Sequence, residues 1–79
     1  MRVSVNTTEY TQLNTVEDAY LLQNLGGTIL YAVVSDDKPA DDTKPDLKIK
    51  PLDALSSAMV IGKVWGKGSL SESIVGVIE

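Results

Sequence analysis

The sequence contains no cysteine, no histidine and no phenylalanine. Without cysteine the chain forms no disulfide, and without cysteine or histidine it lacks the usual ligands of a structural zinc site. The same two absences remove the most common general base and the most reactive thiol nucleophile of enzymes. No recognisable serine–lysine or paired-carboxylate motif replaces them. We therefore predict that the protein is not an enzyme and that it needs no cofactor.

The length and charge of the chain limit its partners. Its 79 residues suffice for one domain. A domain of this size buries only about 60% of its unfolded surface, and no disulfide or metal supports it here, so we expect a homo-oligomer, with a stable monomer as the alternative. The net charge of −4 argues against nucleic acid and anionic membranes, because both attract basic surfaces. No apolar run approaches the roughly 20 residues of a membrane span.

The central stretch, residues 18–35, consists of two apolar runs that meet at Gly26 and Gly27. Residues 28–35 are rich in β-branched and aromatic types and are apolar on both faces, which is typical of a strand covered on both sides. The glycine pair predicts a tight hairpin turn with positive φ at both positions. Residues 15–25 fit either the partner strand of that hairpin or a capped helix that ends at a glycine, and we favour the hairpin.

Shorter strand-like segments account for the remainder of the chain. Residues 1–8 form a first strand or an extended arm, followed by a single β-domain over residues 9–79. Gly76 lies within the last apolar segment and indicates a bulge or a close backbone approach. Strands are predicted at residues 9–13, 47–50, 59–65 and 74–78, a turn at 66–69, and a helical turn or turn-rich crossing at 52–59. In residues 47–50 two lysines alternate with apolar residues, as on an exposed or edge strand. Six or seven short strands separated by turns predict an all-β fold, a small antiparallel β-sandwich or barrel.

An acidic segment, residues 36–46, contains two prolines and five aspartates, a composition that predicts a surface loop. Aspartate oxygens are the ligands that calcium prefers. The spacing is not that of an EF-hand, and lysines interrupt the aspartates. We therefore favour a solvated loop without a metal site, and the candidate ligands, should it bind calcium, are Asp36, Asp37, Asp41 and Asp42.

Four residues are candidates for an interface. Tyr31 and Trp65 belong to types that are enriched at binding hot spots, although in a domain without phenylalanine they also suit the core, which we favour. Leu30 and Val34 lie on one face of the central strand, and a neighbouring subunit would complete the cover of that face. The interface candidates are Leu30, Tyr31, Val34 and Trp65.

Several short motifs occur in an order that resembles a group of small bacteriophage virion proteins. They are residues 10–13, 20–27, 30–35 with the Pro39-containing loop, 47–55, 62–68, and a short last strand that ends in Glu79. Asp53 departs from the pattern, because a basic residue or glycine is more typical there. The resemblance implies a β-sandwich-like domain that serves as a capsid decoration, fibre or tail component in repeated copies. It supplies no catalytic residue to carry over.

Two functions are therefore expected. The first is a non-enzymatic virion structural protein, assembled into particles in the host cytoplasm and bound to other virion proteins and to copies of itself. Cyclic association is the usual form for such contacts, and a trimer would suit a threefold position of a particle. The alternative is a small receptor- or saccharide-binding module in which Trp65, Tyr31 and the acidic loop form the site, with calcium as a candidate ligand.

Overall fold

A computed structural model describes residues 1–79, and every regular element in it is a β-strand. The all-β prediction is therefore confirmed, with eight strands in place of six or seven. No helix is present that could cross a membrane. The strands are β1 (Arg2–Val5), β2 (Thr11–Gln12), β3 (Leu21–Asn24), β4 (Leu30–Val34), β5 (Leu47–Ile49), β6 (Ala54–Ser56), β7 (Val64–Gly68) and β8 (Ser73–Ile78).

The strands form two antiparallel sheets of four strands each. Sheet A has the order β1-β8-β3-β6 and sheet B the order β2-β7-β4-β5. The pairing is nested along the chain, since β1 pairs with β8, β2 with β7, β3 with β6 and β4 with β5. β3 also pairs with β8, which joins the strands of sheet A, and β4 also pairs with β7, which joins the strands of sheet B. Eight strands wound in this nested order form a jelly roll, which is a sandwich with open edges.

The hydrophobic core lies between the two sheets. Side chains of a strand alternate between its two faces, so every second residue points inward. In β4 the inward residues are Leu30 and Ala32, which are fully buried. In β5 Ile49 is buried while Lys48 is exposed, and β5 is an edge strand, as the alternation there predicted. The buried core cluster comprises Val5, Leu13, Tyr20, Leu22, Leu30, Ala32, Ile49, Leu55, Val64, Val75 and Val77.

The hairpin predicted at Gly26 and Gly27 is wrong. β3 lies in sheet A and β4 in sheet B, so residues 25–29 carry the chain from one sheet to the other. The two apolar runs do cover each other, but across the core rather than side by side. Neither glycine has a positive φ. Gly26 is instead required by close packing, because an added Cβ would lie 1.9 Å from the hydroxyl oxygen of Ser73.

The alternatives for residues 15–25 are now resolved. Residues 21–24 form a strand, and no helix is present in this segment. The crossing predicted at residues 52–59 contains β6, and a single helical turn follows this strand, where the amides of Met59 and Val60 donate to the carbonyl of Ser56. Residues 1–8 contain β1, which pairs along its whole length with β8 and contributes Val5 to the core.

Two predictions near the end of the chain are also wrong. The strand predicted at residues 59–65 begins only at Val64, because the backbone turns back at Ser56, whose carbonyl accepts hydrogen bonds from the amides of Met59 and Val60. The turn predicted at residues 66–69 is largely strand, since β7 continues to Gly68.

Gly76 shows a close approach and no bulge. It pairs in unbroken register with Arg2 on one side and Gln23 on the other. An added Cβ at this position would lie 3.2 Å from Cδ1 of Leu25, which packs over the glycine. A larger residue there would displace Leu25.

A buried asparagine holds the passage between the sheets. Asn24 ends β3, and its Nδ2 donates to the carbonyls of Thr28 at 2.8 Å and Ile49 at 2.9 Å. Its Oδ1 accepts from the amide of Gly26 at 2.9 Å and from the hydroxyl of Ser73 at 3.2 Å. The side chain therefore ties the end of a sheet A strand to β5 of sheet B, and no buried polar side-chain atom lacks a hydrogen bond.

Asn14, which precedes β3, also makes hydrogen bonds that join distant parts of the chain. Its Nδ2 donates to the carbonyl of Gly62 at 2.9 Å, and its Oδ1 accepts from the amide of Val64 at 2.7 Å. Losing such a side chain would leave buried backbone groups without partners, at a cost of about 1–3 kcal/mol for each group. The sequence analysis missed both asparagines, because asparagine is most often a turn residue on the surface.

Candidate interaction surface

Two of the four predicted interface residues lie inside the molecule. Leu30 is fully buried in the core, and Val34 is half-buried against it. Sheet A of the same chain already covers the face of β4 that carries these residues. This face is therefore not available to a neighbouring subunit in the folded protein.

The other two, Tyr31 and Trp65, share the outer face of sheet B. Because Leu30 and Ala32 point inward, Tyr31 points outward, and Trp65 does the same on the adjacent strand β7. Both are half-buried. The indole Nε1 of Trp65 donates to the carbonyl of Ser35 at 2.8 Å, so its polar edge is already bonded within the chain.

The acidic segment, residues 36–46, lies across the outer face of sheet B, and we call it the cover loop. The Tyr10 hydroxyl donates to the carbonyl of Thr43 at 2.7 Å, and the Lys67 ammonium donates to the carbonyl of Asp41 at 2.6 Å. Lys67 also lies 4.8 Å from the centroid of the Tyr10 ring, within the range of a cation–π contact. These contacts hold the loop over β7 and the residues beside β2.

The cover loop buries side chains that would otherwise face water. Val33 points outward from β4 and yet is only 5% exposed, and Tyr10 is only 1% exposed. Neither belongs to the core cluster between the sheets. The prediction that the central strand is covered on both sides is therefore confirmed, with the core on one side and the loop on the other.

The cover loop has one half-buried side and one exposed side. Pro39, Thr43 and Pro45 are half-buried, whereas the aspartates of the loop are exposed. Nowhere in the chain are three acidic side chains placed so that they could share a metal ion. The candidate aspartates Asp36, Asp37, Asp41 and Asp42 are not brought together, and Asp41 contributes its backbone carbonyl rather than its carboxylate to the contact with Lys67.

Hydrogen bonds near the loop involve Asp46 and Tyr10. One carboxylate oxygen of Asp46 accepts from the amide of Val34 at 3.0 Å. Burial raises the pKa of the Tyr10 hydroxyl, and the nearby Asp46 carboxylate and Tyr31 add to the rise. The phenol therefore stays protonated at neutral pH and can donate to the loop.

The outer face of sheet A has no such cover. Its central strand, β8, presents Ile74 and Ile78 to the outside, and these side chains are 42% and 67% exposed. Leu21 on β3 pairs with Ile78 and is 40% exposed. An antiparallel sheet with one solvated face normally alternates apolar residues inside with polar residues outside. We call the surface formed by Leu21, Leu25, Ile74, Gly76 and Ile78 the apolar face.

A shallow groove of about 190 Å³ lies in the apolar face. Gly76 is one of its lining residues and contributes no side chain, and Leu25 packs close to this glycine. The lining residues are Met1, Arg2, Leu21, Gln23, Gly76, Val77 and Ile78. The apolar face therefore has a depression beside its most exposed side chain, Ile78.

The apolar face was not predicted from the sequence. Residues 74–78 are apolar on both faces of the strand, the same pattern that led us to predict two-sided cover for residues 28–35. The same rule predicts two-sided cover for β8, and the structure covers only its inner face.

Comparisons with protein-family models, with curated proteins and with solved structures found no match for this chain. Its function must therefore be argued from the fold and from the two outer faces of the sandwich.

Proposed function

We propose that the protein is a non-enzymatic structural component of a bacteriophage particle, a capsid decoration, fibre or tail protein, and that it acts through contacts between folded subunits. The apolar face of sheet A carries this proposal. A domain that works alone rarely exposes a contiguous patch of large apolar side chains, and such patches mark interaction sites. Here the patch lies on the central strand of a sheet, where a polar outer row would be the normal arrangement.

The fold supports a structural role by analogy. Jelly rolls recur in viral capsid proteins and in lectins, where rigid sandwiches present their outer faces to partners. A fold alone does not determine a function. The analogy agrees with the resemblance to phage virion proteins in the motifs of residues 10–13, 20–27 and 62–68.

The ionisable groups with shifted pKa values support a role without turnover. Such groups are candidates for catalysis, but each one here has a structural partner. Burial raises the pKa values of Tyr10 and Tyr20, and both hydroxyls donate to backbone carbonyls. Hydrogen bonds from Thr15 lower the pKa of Glu79. These three groups are far from converging on one groove, since Tyr10 bonds the cover loop and Glu79 bonds the β2–β3 connection.

The proposal includes partners and location. The protein would assemble into particles in the host cytoplasm and bind other virion proteins and copies of itself, without nucleic acid or membrane. The receptor- or saccharide-binding alternative gains no support from the acidic loop, because its aspartates are dispersed and the indole of Trp65 is bonded to Ser35.

The direct test is to measure the protein in purified particles. Particles of the phage that encodes this chain would be banded on a density gradient, and the chain would be quantified by mass spectrometry against the major capsid protein. A non-structural protein of the same phage serves as the control for contamination. We expect the chain in a fixed ratio of many copies per particle, well above the control. Abundance in the lysate with none in the particles would overturn the proposal.

A further inference from the structure

We infer that the apolar face is the contact surface for a second copy of this chain, and that two copies pack sheet A against sheet A around a twofold axis. This inference rests on the proposed function, which requires subunit contacts, and names the surface and the partner that make one of them. Three properties of the face carry the inference: its size, its shape and its charge.

The size of the face fits a dimer of small domains. Its four large side chains, Leu21, Leu25, Ile74 and Ile78, each expose more than a third of their surface, and Met1 extends the patch. These side chains together expose roughly several hundred Å² of apolar surface, the size of the largest patch on a typical monomer, and such patches are often functional. A standard interface buries about 800 Å² per partner, of which somewhat more than half is apolar. The molecule measures 28 × 25 × 18 Å, so one broad face can supply this area.

The shape of the face is self-complementary. Ile78 projects from β8 and forms one wall of the groove, which extends to Gly76, two residues away on the same strand at about 6–7 Å. A twofold axis that crosses β8 midway between them places Ile78 of each copy over the groove of the other. This reciprocal arrangement is what an isologous contact requires, since the same two elements meet twice.

The distribution of charge in the protein does not oppose self-association through the apolar face. The chain carries a net charge of −4, and five of its eleven acidic residues lie in the cover loop on sheet B. On sheet A the outward positions of the strands carry no carboxylate, and Arg2 is their only charged residue. Two copies that met through sheet B would oppose their acidic loops. Two copies that meet through sheet A keep those loops on opposite sides of the dimer.

The test compares two isoleucines of equal exposure. Ile78 is 67% exposed on the apolar face, and Ile61 is 69% exposed on the loop before β7. Sedimentation equilibrium of the wild-type chain, Ile78→Ser and Ile61→Ser would be measured from about 1 µM to 1 mM. We expect twice the 8.5 kDa chain mass for the wild type and for Ile61→Ser. For Ile78→Ser we expect dissociation at least about tenfold more favourable, as for removal of a hot-spot residue.

A second measurement does not depend on a variant. Amide chemical shifts of the wild-type chain would be followed during dilution, and we expect the changes to concentrate at residues 2–5, 21–25 and 74–78. Changes confined to the cover loop would overturn the inference. A dimer that Ile78→Ser leaves as stable as the wild type would do the same, as would a trimer, which has no twofold contact.

The outcomes separate this inference from the proposed function. A chain that stays monomeric to 1 mM but enters particles unless Ile78 is changed would show that another virion protein covers the face, which overturns the second-copy inference and supports the proposed function. A dimer that depends on Ile78, in a chain absent from particles, would support the inference and overturn the proposed function.

Discussion

The two sheets have the same number of strands, and they differ in what lies on their outer faces. On sheet B the cover loop reduces the exposure of Val33 to 5% and that of Tyr10 to 1%. On sheet A the corresponding outward residue of β8, Ile78, remains 67% exposed. Both sheets contain a strand that is apolar on both faces. The comparison shows that a small chain can cover such a strand with its own loop or leave its outer face exposed.

The difference originates in the lengths of the connections. Residues 35–46 join β4 to β5 and are long enough to fold back over sheet B. The links that leave the strands of sheet A are shorter, residues 6–10 after β1, residues 25–29 after β3 and residues 57–63 after β6. Such links only carry the chain between sheets, and no segment is left over to lie on the apolar face.

The largest contrast is expected when a charge is placed on each face. Val33→Asp puts a carboxylate under the cover loop with no partner, and we expect a loss of about 4 kcal/mol in the free energy of unfolding. Ile74→Asp places the same group on the apolar face, where water can reach it, and we expect a change within about 0.5 kcal/mol for the monomer. Urea unfolding at low protein concentration, followed by the fluorescence of Trp65, measures both. Equal losses would mean that the two faces are equally buried.

Removing the cover loop should leave the outer face of sheet B uncovered, as the outer face of sheet A already is. Replacing residues 37–45 with a short Gly- and Asn-containing turn exposes Val33 and Tyr10, and we expect a loss of about 2–4 kcal/mol from their lost burial. The shortened chain should also associate more strongly, because it presents two apolar faces. The matched control changes Asp37, Asp41 and Asp42 to serine, which keeps the loop and its backbone carbonyls. If the control is as unstable as the shortened chain, charge rather than cover explains the effect.

A smaller effect is expected from one hydrogen bond under the loop. Tyr10→Phe removes the donor to the Thr43 carbonyl and leaves that carbonyl unbonded, so we expect a loss of about 1 kcal/mol. Tyr31→Phe is the control, because the Tyr31 hydroxyl lies on the same sheet face and makes no hydrogen bond within the chain. Thermal unfolding monitored by circular dichroism compares the two. Similar melting temperatures would show that this bond does not hold the loop.

The same tyrosine predicts a pH dependence on the covered side. The folded pKa of Tyr10 lies above its ordinary value of 10.0, and that of Tyr20 is raised as well. The unfolded chain therefore loses these protons first, so the contribution to stability is complete below pH 10 and is lost as pH rises through the folded pKa values. We expect the melting temperature to fall above pH 10, and to fall less steeply in Tyr10→Phe. An unchanged slope in that variant would contradict the assignment.

The smallest effect is expected at the margin of the apolar face. The Glu79 carboxylate accepts from the Thr15 amide at 2.6 Å and from its hydroxyl at 2.7 Å, and these bonds lower its pKa below 4.5. Its contribution is present above pH 4.5 and disappears as pH falls through the lower folded value. Because Glu79 is exposed, the change in melting temperature should be slight, and Glu79→Gln should remove it. Melting curves at pH 7 and pH 3 test this.

Local sequence patterns predicted the positions of the strands better than they predicted which strands pair with each other. The lysines of β5, the prolines of residues 36–46 and the apolar run of residues 74–78 identified an edge strand, a loop and a strand correctly. Pairing across Gly26 was not predictable in this way, because a run of apolar residues specifies a covered strand without specifying its sheet. The change of sheet depends on Asn24, two of whose four hydrogen bonds reach residues distant in sequence, Ile49 and Ser73.

The candidate surface was predictable only in part. The favoured placement of Tyr31 and Trp65 in the core was wrong, because both lie half-buried on the outer face of sheet B and outside the core cluster. Leu30 was misplaced because its pattern is equally suited to the core and to an interface, and only the topology decides between them. The exposure of Ile78 could not be read from residues 74–78, since it depends on where the one long loop of the chain folds.

The position of β8 has a consequence for how the molecule is made. β8 lies between β1 and β3, yet it is synthesised after all the other strands of the sandwich. Until residue 78 emerges, β1 and β3 have unpaired edges facing a gap, and edges of this kind recruit other chains. Sheet A can therefore close only after β8 has been synthesised, and until then its two open edges make the nascent chain prone to aggregation.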